Sequence, residues 1–407
     1  MAKNEERVAE AKRVLLGNYK PPAFVLSKGQ GCRVEDVEGH SYLDLAAGIA
    51  VLSLGHAHEA LARAVAEQAT KLVHTSNLFY NERSIELASA IIDATSYDKV
   101  YFCNSGTEAN EAMLKLARRW QFEHGHKERT EFVATHNSFH GRTMGALSVT
   151  GQPKYHVGME PLIDGVSFVD YGDLDAMRAA VGAKTAAVIV EPIQAEGGII
   201  VGSDAYLLGL REICDKAGAL LIFDEVQTGY GRTGKFLCRE WSGVLPDAFS
   251  LAKGIAGGFP LGAMVVNKRV ADGLPPGSHA STFGGNPVAC AAGLAVFEVF
   301  KKENVLHNVL DVGAHLESRV RAIAADANLP SVIEARGKGL LQGLKLAKHI
   351  DPLATIAMIR EAGVLLSIAG GDVLRVSPSL LVTKAEIDEG LDVIAKVLRN
   401  APAAVAA

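Results

Sequence analysis

Ala219-Leu220-Leu221-Ile222-Phe223-Asp224-Glu225-Val226-Gln227 and, a little farther on, Ala248-Phe249-Ser250-Leu251-Ala252-Lys253-Gly254 decide the fold. Each is a short apolar run without strict alternation, the pattern of a strand buried on both faces. The first run ends in acids and the second in an amine beside a glycine. Two neighbouring parallel strands would therefore deliver a carboxylate and a lysine to the same sheet edge, where ligands of open α/β sheets bind. A lysine held there can form a Schiff base with a carbonyl. An acid from the adjoining strand can hold a protonated ring nitrogen.

Working outward, similar runs occur at Val100–Cys103, Glu131–Ala134, Val166–Val169, Ala186–Val190 and Ala263–Val266. Helical patterns separate several of them, at Glu108–Trp120, Leu174–Val181 and Asp204–Ala217. Seven runs of this kind predict an α/β domain on a mostly parallel seven-stranded sheet. After the helical stretches Val288–Lys302 and Val309–Ala325 the texture changes to strands near Gly339–Leu344, Val364–Ile368 and Val373–Val376. Thr383-Lys384-Ala385-Glu386 reads as the cap of a last helix. This part predicts a smaller α+β domain. The expected division is 1–57 as an N-terminal segment joining the small domain, 58–287 as the large domain and 288–407 as the small one. The N-terminal segment opens with a helix over 3–16, with Val8, Ala11 and Leu15 on one face. Residues 401–407 read as a frayed tail.

The 407 residues are too many for one small core. A net charge of −5 gives no electrostatic footprint for nucleic acid or an anionic membrane. No apolar run reaches the ~18–20 residues a bilayer span needs. The charged start, Met1 to Arg7, lacks the apolar core of a secretory signal. The five cysteines are scattered and form no C-x-x-C spacing, which argues against a disulfide framework and a thiolate zinc site. A reducing, cytoplasmic setting is expected. His56/His58 and His124/His126 come nearest to metal ligands, but no acidic partners accompany them, and no metal is expected.

Other segments carry possible chemistry beside a structural reading. Asn104-Ser105-Gly106-Thr107-Glu108 lies between a strand and an amphipathic helix. Free N–H groups at such a helix start hold phosphate, although the same residues make an ordinary cap. Phe139-His140-Gly141-Arg142-Thr143 follows another strand. Phe139 offers a flat face and Arg142 a fork for a carboxylate, against a core phenylalanine and a surface arginine. Glu196 stands in a glycine-flanked loop after Ala186–Val190. Asp224 is preferred to Glu225 for a ring nitrogen because it comes first after the apolar run and should be the more buried. Gln227 is placed to donate to a ring oxygen. Gly229-Tyr230-Gly231-Arg232-Thr233-Gly234 matches G-x-G-x-x-G but lacks the strand–helix–acid context of a dinucleotide site. Ser281-Thr282-Phe283-Gly284-Gly285-Asn286-Pro287 is a second hydroxyl-and-glycine turn before a helix. Arg375 lies in an apolar strand and needs a partner, for which Glu196 has the right charge.

Taken in order, from about Tyr19 to Pro378, these segments resemble the class III aminotransferases, a pyridoxal-phosphate family with members acting on ornithine, acetylornithine and 4-aminobutyrate. Gly48-Ile49-Ala50-Val51, Leu54-Gly55-His56-Ala57-His58 and Asn77-Leu78-Phe79-Tyr80-Asn81-Glu82 bring it closest to the acetylornithine branch. The resemblance implies a fold-type I transferase, a homodimer with shared active sites. It implies a transfer of the δ-amino group of N2-acetylornithine to 2-oxoglutarate, in arginine metabolism. The rivals are succinylornithine, ornithine or 4-aminobutyrate as donor, racemisation or decarboxylation on the same cofactor, and a regulator that kept the fold. The implied roles are covalent attachment of pyridoxal 5'-phosphate and proton transfer for Lys253, the ring nitrogen for Asp224 and the phenolic oxygen for Gln227. Ser105, Gly106 and Thr107 would hold the phosphate, with Thr282 reaching it from the partner subunit, and Phe139 would stack on the ring. Arg142 and Arg375 would take substrate carboxylates, Glu196 would mask Arg375, and Tyr19 and Ser281 would lie near the substrate.

Overall fold

A seven-stranded sheet organises the molecule, and its strands are β1 (Lys99–Cys103), β2 (Glu131–Thr135), β3 (Val166–Val169), β4 (Thr185–Val190), β5 (Leu220–Asp224), β6 (Ala248–Leu251) and β7 (Gly262–Val266). The computed structural model describes residues 3–404. The sheet order is β1-β7-β6-β5-β4-β2-β3. The pairs β6–β5, β5–β4, β4–β2 and β2–β3 are parallel, and β7 runs antiparallel to both its neighbours. Every residue of β4, β5, β6 and β7 is buried. Helices on both faces leave no solvated side, so these strands are continuously apolar. The sequence runs lie within a residue or two of these strands.

The parallel strands place the loops that follow β1, β2, β4, β5 and β6 along one edge. β7, reversed, brings the residues before it to the same edge. The helix Gly106–Glu123 leaves β1 with Ser105 as its N-cap, accepting from the Glu108 N–H. Its long buried face, Ala109 through Gln121, packs under the sheet.

Two smaller sheets flank this layer. Leu26–Gln30, Arg33–Asp36 and Ser41–Asp44 form a meander, joined by Val364–Leu365 in parallel with Ser41–Asp44. Val332–Lys338, Leu341–Leu346, Val373–Val376 and Ser367–Ala369 form an antiparallel sheet. Arg375 is carried in its Val373–Val376 strand. The last helix, Lys384–Leu398, has the reciprocal Thr383/Glu386 capping box.

The structure corrects some expectations. The N-terminal helix covers Lys3–Val14, and Leu15 is exposed beyond it. Asn4 is its buried residue. Its amide donates to Asp36 Oδ2 at 2.8 Å and accepts from the Val25 N–H at 2.8 Å. A polar anchor, not an apolar stripe, ties this helix down. The expected tail is also partly ordered: the Ala404 N–H donates to His349 O and the Asp351 N–H to Pro402 O. Residues 405–407 lie outside the described residues.

The G-x-G-x-x-G turn is a packing device. A Cβ at Gly231 would stand 2.8 Å from Phe300 Cε1. Between its glycines Arg232 is buried and donates to Leu340 O at 3.1 Å and Pro378 O at 2.6 Å, clamping the turn to the C-terminal segment. Burial brings its guanidinium down to about 9. The five cysteines are free and buried. Among the described residues no helix is long and apolar enough to cross a membrane.

Candidate active site

A cleft of about 400 Å³ opens at the carboxyl edge of the sheet. Ser105, Gly106, Thr107, Phe139, Arg142, Asp224, Gln227 and Lys253, separated by up to about a third of the chain, all line it.

Asp224 ends β5 in register with Ser250 of β6. Its carboxylate is 4% exposed and fully engaged. Oδ2 accepts from Asn110 Nδ2 and lies against His140 Nδ1, both at 2.8 Å. Oδ1 accepts from the Val226 N–H at 3.0 Å and from Ser250 Oγ at 3.3 Å. Glu225 is even more buried, at 1%. Depth therefore does not distinguish the two acids, contrary to the sequence argument; direction does. Glu225 turns away and accepts from the Cys238 and Arg239 N–H groups and Thr228 Oγ1, each at 2.8 Å.

Lys253 follows β6 and starts the short turn Lys253–Ala256. Its φ of +44° is in the left-handed region, which costs an ordinary L residue roughly 1–2 kcal/mol. Ser53 Oγ holds the turn by donating to Gly254 O at 3.0 Å. Among the described residues no hydrogen bond or ion pair occupies Nζ. Burial brings the amine down to about 8, opposed by the charge of Glu196 and assisted by that of Arg375.

Beside it, Arg375 NH1 donates to Glu196 Oε1 at 2.5 Å and to Gln227 Oε1 at 3.0 Å, while Nε donates to Ser367 Oγ at 2.9 Å. Gln227 Nε2 donates to Glu196 Oε1 at 3.1 Å, closing a three-residue network. The guanidinium is 1% exposed. Burial pushes the Glu196 carboxyl up, but Arg375 and Lys253 outweigh it and hold Glu196 below its ordinary range. The sequence expectation of Glu196 as a charge partner for Arg375 is met in the geometry, and Gln227 spends its amide on that pair.

At the start of the helix Gly106–Glu123, neither the Gly106 nor the Thr107 N–H has a protein acceptor among the described residues. A Cβ at Gly106 would stand 2.7 Å from Val226 Cγ1, so only glycine lets the helix start meet the β5 loop. Gly141, at φ +136°, leaves no room for a Cβ against Thr107 Oγ1. That hydroxyl accepts from the Arg142 and Thr143 N–H groups at 3.2 Å each. The loop after β2 is thus fastened across the helix start, with Phe139 and Arg142 beside it.

Three functional positions escaped the sequence reading. Asn110 and His140 hold Asp224, and nothing in a buried helix position or a loop histidine announces it. Glu191 is buried, accepting from the Phe139 N–H at 2.9 Å and the Ala195 N–H at 3.2 Å. Burial, and next the charge of Asp224, push its carboxyl well up. It joins the loop bearing Phe139 to the loop bearing Glu196. Its place at the carboxyl end of an apolar run was visible, but not which acid of that loop faces inward.

Five expected residues do not line the cleft: Glu196 and Arg375 are joined to it through Gln227, which does, and Tyr19, Thr282 and Ser281 stand apart. Tyr19 is 79% exposed and does not line the cleft. Thr282 is exposed and does not line it either. Ser281 is nearer, its Oγ accepting from Asn104 Nδ2 at 3.3 Å.

The cleft has the parts that pyridoxal phosphate requires. Unsatisfied N–H donors at a helix start suit a phosphate. Phe139 and Val226 offer apolar surface for a ring. Asp224, held ready by four hydrogen-bond partners, suits a protonated ring nitrogen. Lys253 supplies an amine with nothing else bound to it. The residues present fit the group.

Comparison with known proteins agrees. The chain is 45% identical to an acetylornithine aminotransferase of Myxococcus xanthus over 381 residues, 94% of each chain. It is 43% identical to a succinylornithine transaminase/acetylornithine aminotransferase of Pseudomonas aeruginosa, covering 96% of this chain and 98% of that one. The ornithine aminotransferase of Toxoplasma gondii, solved with pyridoxal phosphate at partial occupancy in its active site, superposes with a TM-score of 0.93 at 34% identity, covering 98% of this chain and 94% of that one. The aminotransferase class-III family matches residues 16–398, and with the lysine, acid and helix start of that match converging on one cleft, the chain belongs to the class-III aminotransferases.

Proposed function

We propose that the protein is a pyridoxal-phosphate-dependent transaminase that moves the δ-amino group of N2-acetylornithine to 2-oxoglutarate, giving N-acetylglutamate 5-semialdehyde and glutamate. The observation that carries this reading is the buried Arg375–Glu196 pair, joined to the cleft through Gln227, with Arg142 at the wall. A ping-pong enzyme must accept both an acylated diamine and a dicarboxylate in one site. A masked guanidinium does this: Glu196 covers it while the diamine is bound and yields it to the α-carboxylate of glutamate. Arg142 takes the far carboxylate of either substrate.

When bound, pyridoxal phosphate supplies the carbonyl that exchanges the amine and a ring that draws electrons from the substrate carbon. The chain's residues do the rest. Lys253, brought down to about 8, has a share of neutral amine at physiological pH and moves the proton at the substrate carbon. Asp224 would face the ring nitrogen, fixed by Asn110, His140, Ser250 and the Val226 N–H. Gly106 and Thr107 would give backbone donors to the phosphate beside Ser105, and Phe139 would stack on the ring. Gln227 steadies both members of the Glu196–Arg375 pair.

A homodimer completes this reading. Leu78, Phe79, Tyr80 and Phe283 are 60–96% exposed, a concentration of apolar side chains that supports a covering partner. Asn77 Nδ2 donates to Ser281 O at 2.8 Å, so the segment bearing three of them is tied to the loop carrying Thr282. Thr282 and Tyr19, which do not line their own cleft, would serve the partner's. Free, buried cysteines support a reducing cytoplasmic setting.

The test is kcat/KM for acetylornithine, succinylornithine, ornithine and 4-aminobutyrate, each with 2-oxoglutarate. Acetylornithine is expected to lead. A tenfold preference for ornithine or 4-aminobutyrate would replace this reading.

A further inference from the structure

Arg142 differs from most guanidinium groups of the molecule in making no ion pair among the described residues. Its partner is aromatic. The guanidinium carbon lies 3.7 Å from the centroid of the Tyr155 ring and 5.6 Å from that of Phe139. The two rings meet edge to face at 6.0 Å. Tyr155 does not line the cleft; it stands behind Arg142, which does.

The platform is fixed on both sides. Tyr155 ends the turn Pro153–Tyr155, its N–H donating to Gln152 O at 3.0 Å. Gln152 Nε2 donates to Asn137 O at 3.3 Å and Ser138 O at 3.2 Å. The His156 ring is pinned at 2.8 Å to Thr150 O. Arg142 has its own backbone fastened to Thr107 Oγ1. What remains free is its long side chain, which loses rotamer freedom on gripping a ligand. Stacking occupies the face of a guanidinium and leaves the N–H donors at its edge for a carboxylate. An acidic partner would have occupied those donors instead.

We propose that Tyr155 is a specificity-determining positioning residue, holding Arg142 face-on so that its donor edge is presented to a carboxylate distant from the reacting amine. The inference rests on the reading of Arg142 as a substrate-carboxylate residue. The preformed fork favours donors with a far carboxylate over plain amines, because the side chain is ordered before binding.

The experiment compares the wild-type holoenzyme with Tyr155→Leu, which removes the ring, and Tyr155→Phe, which keeps it. KM and kcat are measured for acetylornithine and for pentylamine, which has the amine but no carboxylate. Binding of glutarate, a plain dicarboxylate, is measured by calorimetry. Tyr155→Leu is expected to raise the acetylornithine KM and the glutarate Kd about tenfold with little change in kcat or in pentylamine KM. Tyr155→Phe is expected to stay within about twofold of wild type. The proposal is overturned if Tyr155→Leu binds glutarate as wild type does, if both variants lose equally, if pentylamine suffers as much as the carboxylated donor, or if the wild type binds no glutarate. Failure of the wild type to use acetylornithine would sink the proposed function instead, and the glutarate comparison would still decide the role of Tyr155.

Discussion

Arg375 and Arg142 are the same side chain in opposite settings. Arg375 is 1% exposed, rooted in a strand, and engaged with Glu196, Gln227 and Ser367. Arg142 is exposed on a loop, with no carboxylate and an aromatic ring behind it. A buried guanidinium must have its donors satisfied; Arg232 uses two carbonyl oxygens, whereas Arg375 uses a carboxylate and so carries its own counter-ion when no substrate carboxylate is there. A solvated one has no such need and can wait open. The difference separates a conditional site from a permanent one, and it lets one cleft take two unlike substrates in turn.

The largest break in that comparison should come from Arg375→Met. It is expected to lower kcat/KM for glutamate by about 10²–10³, since one member of a buried, hydrogen-bonded pair is lost. Acetylornithine should suffer far less, because Glu196 already hides the guanidinium from it. Equal losses for the two donors would mean that Arg375 only supports the fold. Glu196→Gln tests the mask alone. The amide keeps a hydrogen-bond acceptor but not the charge, so preference should move toward glutamate by about tenfold. Unchanged relative kcat/KM values would remove the switch from the mechanism.

How far such contrasts can be read from sequence depends on what the residues face. β4, β5 and β6 were legible because a strand buried on both faces has to be apolar throughout. Val332–Lys338 was not, since Val-Ile-Glu-Ala-Arg-Gly-Lys alternates with no clear period and is largely half-exposed. Lys253 and Asp224 were legible because each ends an apolar run at the ligand-binding edge. The partners of Asp224 were not: Asn110 and His140 reach it from a helix and a loop that only the folded chain brings together. Arg375 announced that it needed a partner by sitting among Val373, Leu374 and Val376. Tyr155 gave no such signal, because an aromatic ring in a loop is compatible with any role until its neighbour is seen.

Lys253 senses both members of the buried pair, so its own titration measures the contrast at the smallest scale. Burial disfavours the charged amine and brings it from an ordinary 10.5 to about 8. In protein freed of cofactor, the rate at which trinitrobenzenesulfonate modifies this lysine, followed by peptide mass spectrometry, should rise about tenfold per pH unit below 8 and level off above it. A solvated lysine would keep rising toward 10.5. The same shift makes the buried amine a cost to folding below about pH 8, one that fades as pH climbs toward 10.5, because only the unfolded chain then still binds the proton. The pair biases the amine in opposite senses: Glu196 favours its proton and Arg375 opposes it. Glu196→Gln should therefore move the midpoint down and Arg375→Met should move it up. Arg142→Met, at a solvated guanidinium outside this network, should leave it in place. A midpoint that moved with Arg142 and ignored Glu196 would place the electrostatic control of the lysine at the wall of the cleft rather than in the buried pair.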